Sequence, residues 1–105
     1  MSVAKSEWYF YIISNANRTL YAGITSNLAG RLEEHKKSAY PSGFTARYNF
    51  DRLVYFECQA TQSDAAQRER KVKGWRRSRK IELILSMNPE WRDLSADWGV
   101  LLRLR

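Results

Sequence analysis

Two tyrosines, an arginine, a histidine and a glutamate carry the chemistry that this sequence offers most readily. Tyr11 stands in the run Trp8 to Ile13 and Tyr21 in the run Thr19 to Ile24, both aromatic and β-branched, with the turn-rich Ser14-Asn15-Ala16-Asn17 between them. The two runs predict a β-hairpin, in which cross-strand neighbours can turn both phenols into one pocket. A phenol titrates at about 10, so it needs a nearby metal, cation or hydrogen-bond network before it takes a proton from water at neutral pH. Arg31 follows Tyr21 by ten residues and His35 follows Arg31 by four. On a helix that spacing sends both side chains to one face, where they can converge on a single phosphate. A guanidinium neutralises charge developing on phosphoryl oxygens, and an imidazole relays a proton. Taken singly, the tyrosines are equally well read as strand packing, and the Arg31/His35 pair as a solvated helix face.

Glu69 is an acid inside a basic run, since eight of residues 68–80 are Lys or Arg. It can be the ion-pair partner of its neighbours, or a metal ligand. Magnesium often keeps several waters and takes one or two protein carboxylates plus phosphate oxygens, so a lone glutamate is enough. Glu57, near the end of a later strand run, is the rival carboxylate. Arg70, Lys71, Lys73, Arg76 and Arg77, followed by Arg79 and Lys80, cannot all be core and form a phosphate-tracking surface. Trp75 reads as core before it reads as a stacking platform. Thr45, Arg47 and Tyr48 are further candidates for backbone contact.

Positioning these groups is the task of six elements. After the hairpin, Thr25-Ser26-Asn27 offers capping side chains to a first helix that starts at Leu28 and ends near Lys37. Ser38 to Asn49 holds Pro41, Ser42 and Gly43 and suits a loop, and Leu53 to Cys58 returns to strand chemistry with Cys58 buried in it. A long helix is expected from about Ser63, with Asp64 as N-cap and Gln67 completing a capping box, until Gly74 interrupts it. A shorter helix from about Arg79 to Met87 would set Ile81, Ile84 and Leu85 on one apolar stripe, with Pro89 just beyond. The order is ββαβαα, and the expected fold is an α+β domain, a three-stranded antiparallel sheet flanked by helices.

Tyr9-Phe10-Tyr11, Tyr21-Ala22-Gly23, Arg31, His35 and Glu69, taken in order and spacing, resemble the GIY-YIG nuclease superfamily. Arg68 to Arg77 and Asn88-Pro89-Glu90-Trp91 look like its compact, stand-alone bacterial branch. The likeness covers residues 8 to about 94. Phe10 and Tyr9 stand where the family name has Ile and Gly, and Ala22 where it has Ile, but the tyrosines and the second glycine are present. The resemblance implies a metal-dependent endonuclease that hydrolyses phosphodiester bonds. Tyr11 or Tyr21 would help activate water, Glu69 would hold one divalent ion (Mg2+, or Mn2+), Arg31 would neutralise the transition state and His35 would assist proton movement. An asparagine follows the glutamate in the family, and Asn88 is the candidate for it. The family also implies DNA as partner, a setting in DNA repair, and low or structure-based selectivity, since sequence-specific members borrow an attached binding domain; a recruiting protein is a natural second partner. Two rivals remain: a non-catalytic nucleic-acid-binding module, and an RNA-directed nuclease.

The composition agrees. The 105 residues suit one domain, with 44% apolar residues and 13% aromatics for one core. The expected division is residues 1–94 as that domain and 95–105 as a C-terminal appendage. The net charge of +7 favours polyanions, and it is concentrated late: residues 1–60 carry seven Lys/Arg against five acids, residues 61–105 eleven against six. One cysteine excludes a disulfide framework, and no window approaches the roughly 18 apolar residues of a membrane span. A cytoplasmic protein without a membrane partner is the expectation. If the five groups form one active site, they must ring a space roughly 10 Å across. If Glu69 is only an ion-pair partner, it should pair along its own helix, away from the tyrosines.

Overall fold

A computed structural model describes residues 7–37, 50–96 and 98, so the Ser38 to Asn49 loop, with Thr45, Arg47 and Tyr48, lies outside the described residues. The element order is β1 (Trp8–Ser14), β2 (Leu20–Thr25), α1 (Leu28–Lys37), β3 (Arg52–Gln59), α2 (Gln62–Lys73) and α3 (Arg77–Met87). The expected ββαβαα order and α+β class are what is found. The three strands form one antiparallel sheet in the order β2-β1-β3, with the first strand in the middle.

The hairpin is closed by Asn15. Its Oδ1 accepts from the backbone N–H of Asn17 at 2.9 Å and of Thr19 at 3.0 Å, an Asx-type turn made by the side chain. Arg18 takes φ 61° there, a conformation that costs a residue with a Cβ. It is held from two sides: its guanidinium lies 4.7 Å from the Trp91 ring centroid, and its carbonyl accepts from Arg77 at 2.7 Å.

Alternation along β1 creates two cores. Phe10 and Ile12 face α2 and α3, packing with Val54, Tyr55, Val72, Ile84 and Trp91. Tyr11 and Ile13 face α1 and pack with Leu28, Leu32 and Leu53. The β1–β3 register shifts at Ile12/Ile13, which pair with Tyr55 and Leu53 and leave Val54 between them without a partner. A bulge of this kind leaves a carbonyl to satisfy. Asn88 does so, donating Nδ2 to the Val54 oxygen at 3.2 Å and to that of Arg92 at 2.7 Å.

Several local expectations are corrected. The long helix begins earlier, because Thr61 and not Asp64 is its N-cap: Thr61 Oγ1 accepts from the Asp64 N–H at 3.0 Å. Gly74 does end it, giving its N–H to Lys71 and Val72 oxygens. The last helix starts at Arg77, and its buried line runs through Ile84 to Asn88, leaving Leu85 42% exposed outside the stripe. Cys58 is exposed; β3 is an edge strand, and burial along it fades after Tyr55. Past α3, Asp93 Oδ1 accepts from Leu53 N–H at 3.1 Å and Leu94 N–H donates to the Leu53 oxygen at 2.8 Å, fastening the chain to the start of β3. Ser95 is buried and Trp98 meets Phe56 edge-on at 6.1 Å; residues 97 and 99–105 are outside the described set. Among the described residues, no helix is long and apolar enough to cross a membrane.

Candidate active site

Tyr11 sits opposite Gly23 in the β1–β2 register, and its ring runs across that glycine. A Cβ added at Gly23 would stand 2.7 Å from the Tyr11 hydroxyl oxygen and 2.9 Å from Cζ, closer than packed atoms allow. Glycine is needed there so that a buried aromatic ring can carry its hydroxyl across the edge strand. Tyr21, two residues before Gly23, belongs to the same face but is 45% exposed, whereas Tyr11 is 1% exposed. The two phenols thus differ in access to water.

Helix α1 brings the next pair. Leu28 and Leu32 anchor it in the second core, which turns Arg31 and His35 toward the tyrosines. His35 Nε2 lies 3.3 Å from the Tyr11 hydroxyl. The His35 ring meets Tyr11 edge-on at 6.2 Å and Tyr21 edge-on at 5.7 Å, and Phe50 backs Tyr21 at 6.1 Å. Arg31 pairs loosely with Glu34, Nε to Oε1 at 3.3 Å, with the two side chains 44% and 73% exposed.

Burial pushes the Tyr11 phenol up to about 12, with the Arg31 cation opposing and the nearby Tyr21 and Glu69 adding to the rise. Burial and the Arg31 charge together push the His35 imidazole below its ordinary value, while Glu34 opposes. The result at neutral pH is a protonated phenol beside a neutral imidazole.

Glu69 is placed differently from the other four. Its helix packs with Val72 in the core on the opposite face of the sheet. Its side chain is 21% exposed, and Oε2 receives Lys73 Nζ at 2.7 Å, along its own helix. Yet α2 also packs against β2, and the Glu69 charge is felt at the Tyr11 hydroxyl. A cavity of about 160 Å³ opens between β2 and the two later helices, walled by Leu20, Tyr21 and Ala22 on one side and Val72, Lys73 and Lys80 on the other. So Tyr11, Tyr21, Arg31 and His35 are in mutual contact or close to it, and Glu69 lies within electrostatic reach of them without touching. Among the described residues no three His, Cys, Asp or Glu gather as a metal cluster. Glu69 would offer a divalent ion a single carboxylate, a donor that fits an ion keeping most of its waters, as magnesium does.

The other candidates separate clearly. Glu57 is bound by Arg68, Nε at 2.9 Å and Nη2 at 3.3 Å, by Gln59 at 2.7 Å and by the Tyr55 hydroxyl. That network holds β3 to α2 and leaves the carboxylate no vacancy for a ligand. Asn88 is 3% exposed and committed to the bulge, so the site does not include it. Arg70, Lys71, Lys73, Arg76 and Arg77 are all exposed. Trp75 is half-buried against the first core, with Arg79 stacked at 4.0 Å and Arg68 at 5.5 Å. Arg18 was missed from the sequence: the Arg77 contact carries it from the hairpin turn to the basic helix, a juxtaposition that no local pattern announces.

With this geometry in hand, likeness to known proteins has a structural meaning. A family model described as the GIY-YIG catalytic domain matches residues 7–82. A UPF0213 protein of Syntrophus aciditrophicus is 35% identical over 85 residues, covering 81% of this chain and 97% of its own length. One from Bacillus pumilus is 39% identical over 90 residues, covering 82% of this chain and 87% of its own. The solution NMR structure of a UPF0213 protein from Bacillus halodurans superposes with a TM-score of 0.54 at 22% identity, over 87% of this chain and 95% of that one, and supports the fold. The chain belongs to the GIY-YIG family, among its small UPF0213 members.

Proposed function

We propose that the protein is a divalent-metal-dependent endonuclease that hydrolyses phosphodiester bonds in DNA with low or structure-based selectivity. The observation that carries this reading is the contact of a buried phenol hydroxyl with an imidazole nitrogen, beneath an exposed second phenol and a loosely held guanidinium. Aromatic packing alone does not require a glycine beneath Tyr11 or a histidine on its hydroxyl.

Exposure favours Tyr21 as the phenol that contacts the attacking water. Tyr11 keeps its proton through neutral pH and shares a hydrogen bond with His35 Nε2, which orients the imidazole between the two phenols. Arg31 exchanges Glu34 for the scissile phosphate at little cost, since an exposed pair of that kind is worth about 0.2–1 kcal/mol. There it neutralises charge that grows toward the transition state. Glu69 would hold the divalent ion, which supplies positive charge at the phosphate and the leaving oxygen. Arg70, Lys71, Arg76, Arg77 and Arg18 track the flanking backbone. None of these contacts reads a base edge, so DNA shape or a recruiting protein would choose the substrate, as befits a cytoplasmic repair role.

The test is cleavage of matched labelled DNA and RNA, duplex and branched, with Mg2+ and with EDTA. Mg2+-dependent nicking of DNA supports the proposal. Tight binding without cleavage of either polymer means a binding module, and preferential cleavage of RNA means an RNA-directed enzyme.

A further inference from the structure

The Glu69 carboxylate carries two claims that oppose one another. It accepts a charge-assisted hydrogen bond from Lys73 at 2.7 Å, and, as the proposed metal ligand, it is among the described residues the carboxylate whose charge acts on the Tyr11 phenol. A divalent ion bound to one of its oxygens at about 2.1 Å would stand within a few ångströms of the ammonium, and two cations repel strongly at that range. From this opposition we infer that Lys73 is a built-in competitor of the metal: its ammonium neutralises Glu69 in the metal-free protein and is driven off as the ion binds. This rests on the reading of Glu69 as metal ligand.

The surroundings suit such an exchange. An ordinary i, i+4 pair lies in solvent, but here the carboxylate is part-buried, its side chain 21% exposed, and its charge helps raise a buried phenol. Left unpaired, that part-buried carboxylate would be partly desolvated with no cation beside it. Lys73 supplies that cation without a metal. Its own side chain is 52% exposed on a flexible stem, so it can leave. It also lines the cavity shared with Tyr21 and Lys80. A released ammonium would remain at the wall of that cavity, as a second cation with Lys80 for an incoming phosphate. The competitor that keeps the empty site neutral becomes a substrate contact once the metal arrives.

The experiment uses Mn2+ alone, without nucleic acid, and follows paramagnetic broadening of the Tyr21 and Glu69 backbone amide signals in a two-dimensional NMR titration. Five proteins are compared: wild type, Lys73→Met, Lys73→Gln, Lys71→Met and Glu69→Gln. Lys71 is two residues from Glu69 and points elsewhere on the helix, so its loss reports only the general change of charge. Lys73→Met is expected to reach half-broadening at a Mn2+ concentration roughly threefold or more below wild type, with Lys71→Met shifting much less and Glu69→Gln losing the effect. Lys73→Gln should repeat the Lys73→Met result, and unchanged amide positions along α2 exclude local unfolding. Glu69-dependent broadening that Lys73→Met strengthens no more than Lys71→Met overturns the role of Lys73 alone. Absence of any Glu69-dependent broadening in both wild type and Lys73→Met overturns the metal ligand as well.

Discussion

The hydroxyl of Tyr11 and Nε2 of His35 stand 3.3 Å apart, joining the middle strand to the helix that covers it. Burial moves the two groups in opposite directions, the phenol up to about 12 and the imidazole below 6.5. The neutral imidazole is the form that accepts the phenolic proton. Cleavage should therefore rise with pH as His35 loses its proton, with the midpoint of that limb below 6.5 because the shift is downward. His35→Gln should erase the limb and lower the rate on the order of 100-fold. The same sign governs stability: the folded state prefers neutral His35, so stability is lost as pH falls below the ordinary histidine value, and this slope should vanish in His35→Gln. A pH–rate profile of both proteins checks the assignment; identical limbs would remove His35 from it.

Gly23 is predicted to be irreplaceable for a steric reason. Gly23→Ala sets a methyl 2.7 Å from the Tyr11 hydroxyl and 2.9 Å from Cζ. The ring must shift, which should cost about 1–3 kcal/mol of stability, the usual penalty of overpacking. Cleavage should fall further than the loss of folded protein explains, since the hydroxyl leaves His35. Thermal unfolding together with turnover per folded molecule measures both, and a variant of unchanged activity would show that the position of Tyr11 does not matter.

Changing Arg70, Lys71, Arg76 and Arg77 to Gln should weaken binding of all DNA sequences alike. Each lost phosphate contact should flatten the plot of log affinity against log salt by about 0.9. Arg18→Gln in the otherwise wild-type protein should flatten it by one such step, because there Arg77 ties the Arg18 backbone to the same surface. A slope equal to wild type would move the DNA-binding surface elsewhere.

How much could be read beforehand depended on whether a feature was local. The hairpin, α1 and the ββαβαα order follow from patterns within single segments, and the Arg31–His35 pair follows from helical spacing alone. The N-cap was misread because Thr61 and Asp64 both offer a capping oxygen, and only the backbone path decides which residue precedes the first turn. Asn88 was a candidate for chemistry, but the bulge at Val54 that claims it depends on β1–β3 register, which no single strand encodes. Cys58 was expected inside because its strand is apolar, yet burial is set by what covers the sheet, and cover ends before it. Glu69 holds both lessons. Its pairing with Lys73 is an i, i+4 relation visible in the sequence, whereas its influence on Tyr11 exists only after α2 has packed beside β2.

The central claim is that these groups form one metal-dependent hydrolytic site, and single-turnover cleavage of labelled DNA by wild type and Glu69→Gln across a magnesium titration tests it most directly. The substitution keeps the shape of the side chain and removes the charge that holds the ion. Cleavage that rises with Mg2+ in wild type and stays at background in Glu69→Gln, with DNA binding nearly unchanged, is the predicted result. Equal cleavage by the two proteins at every magnesium concentration would contradict it.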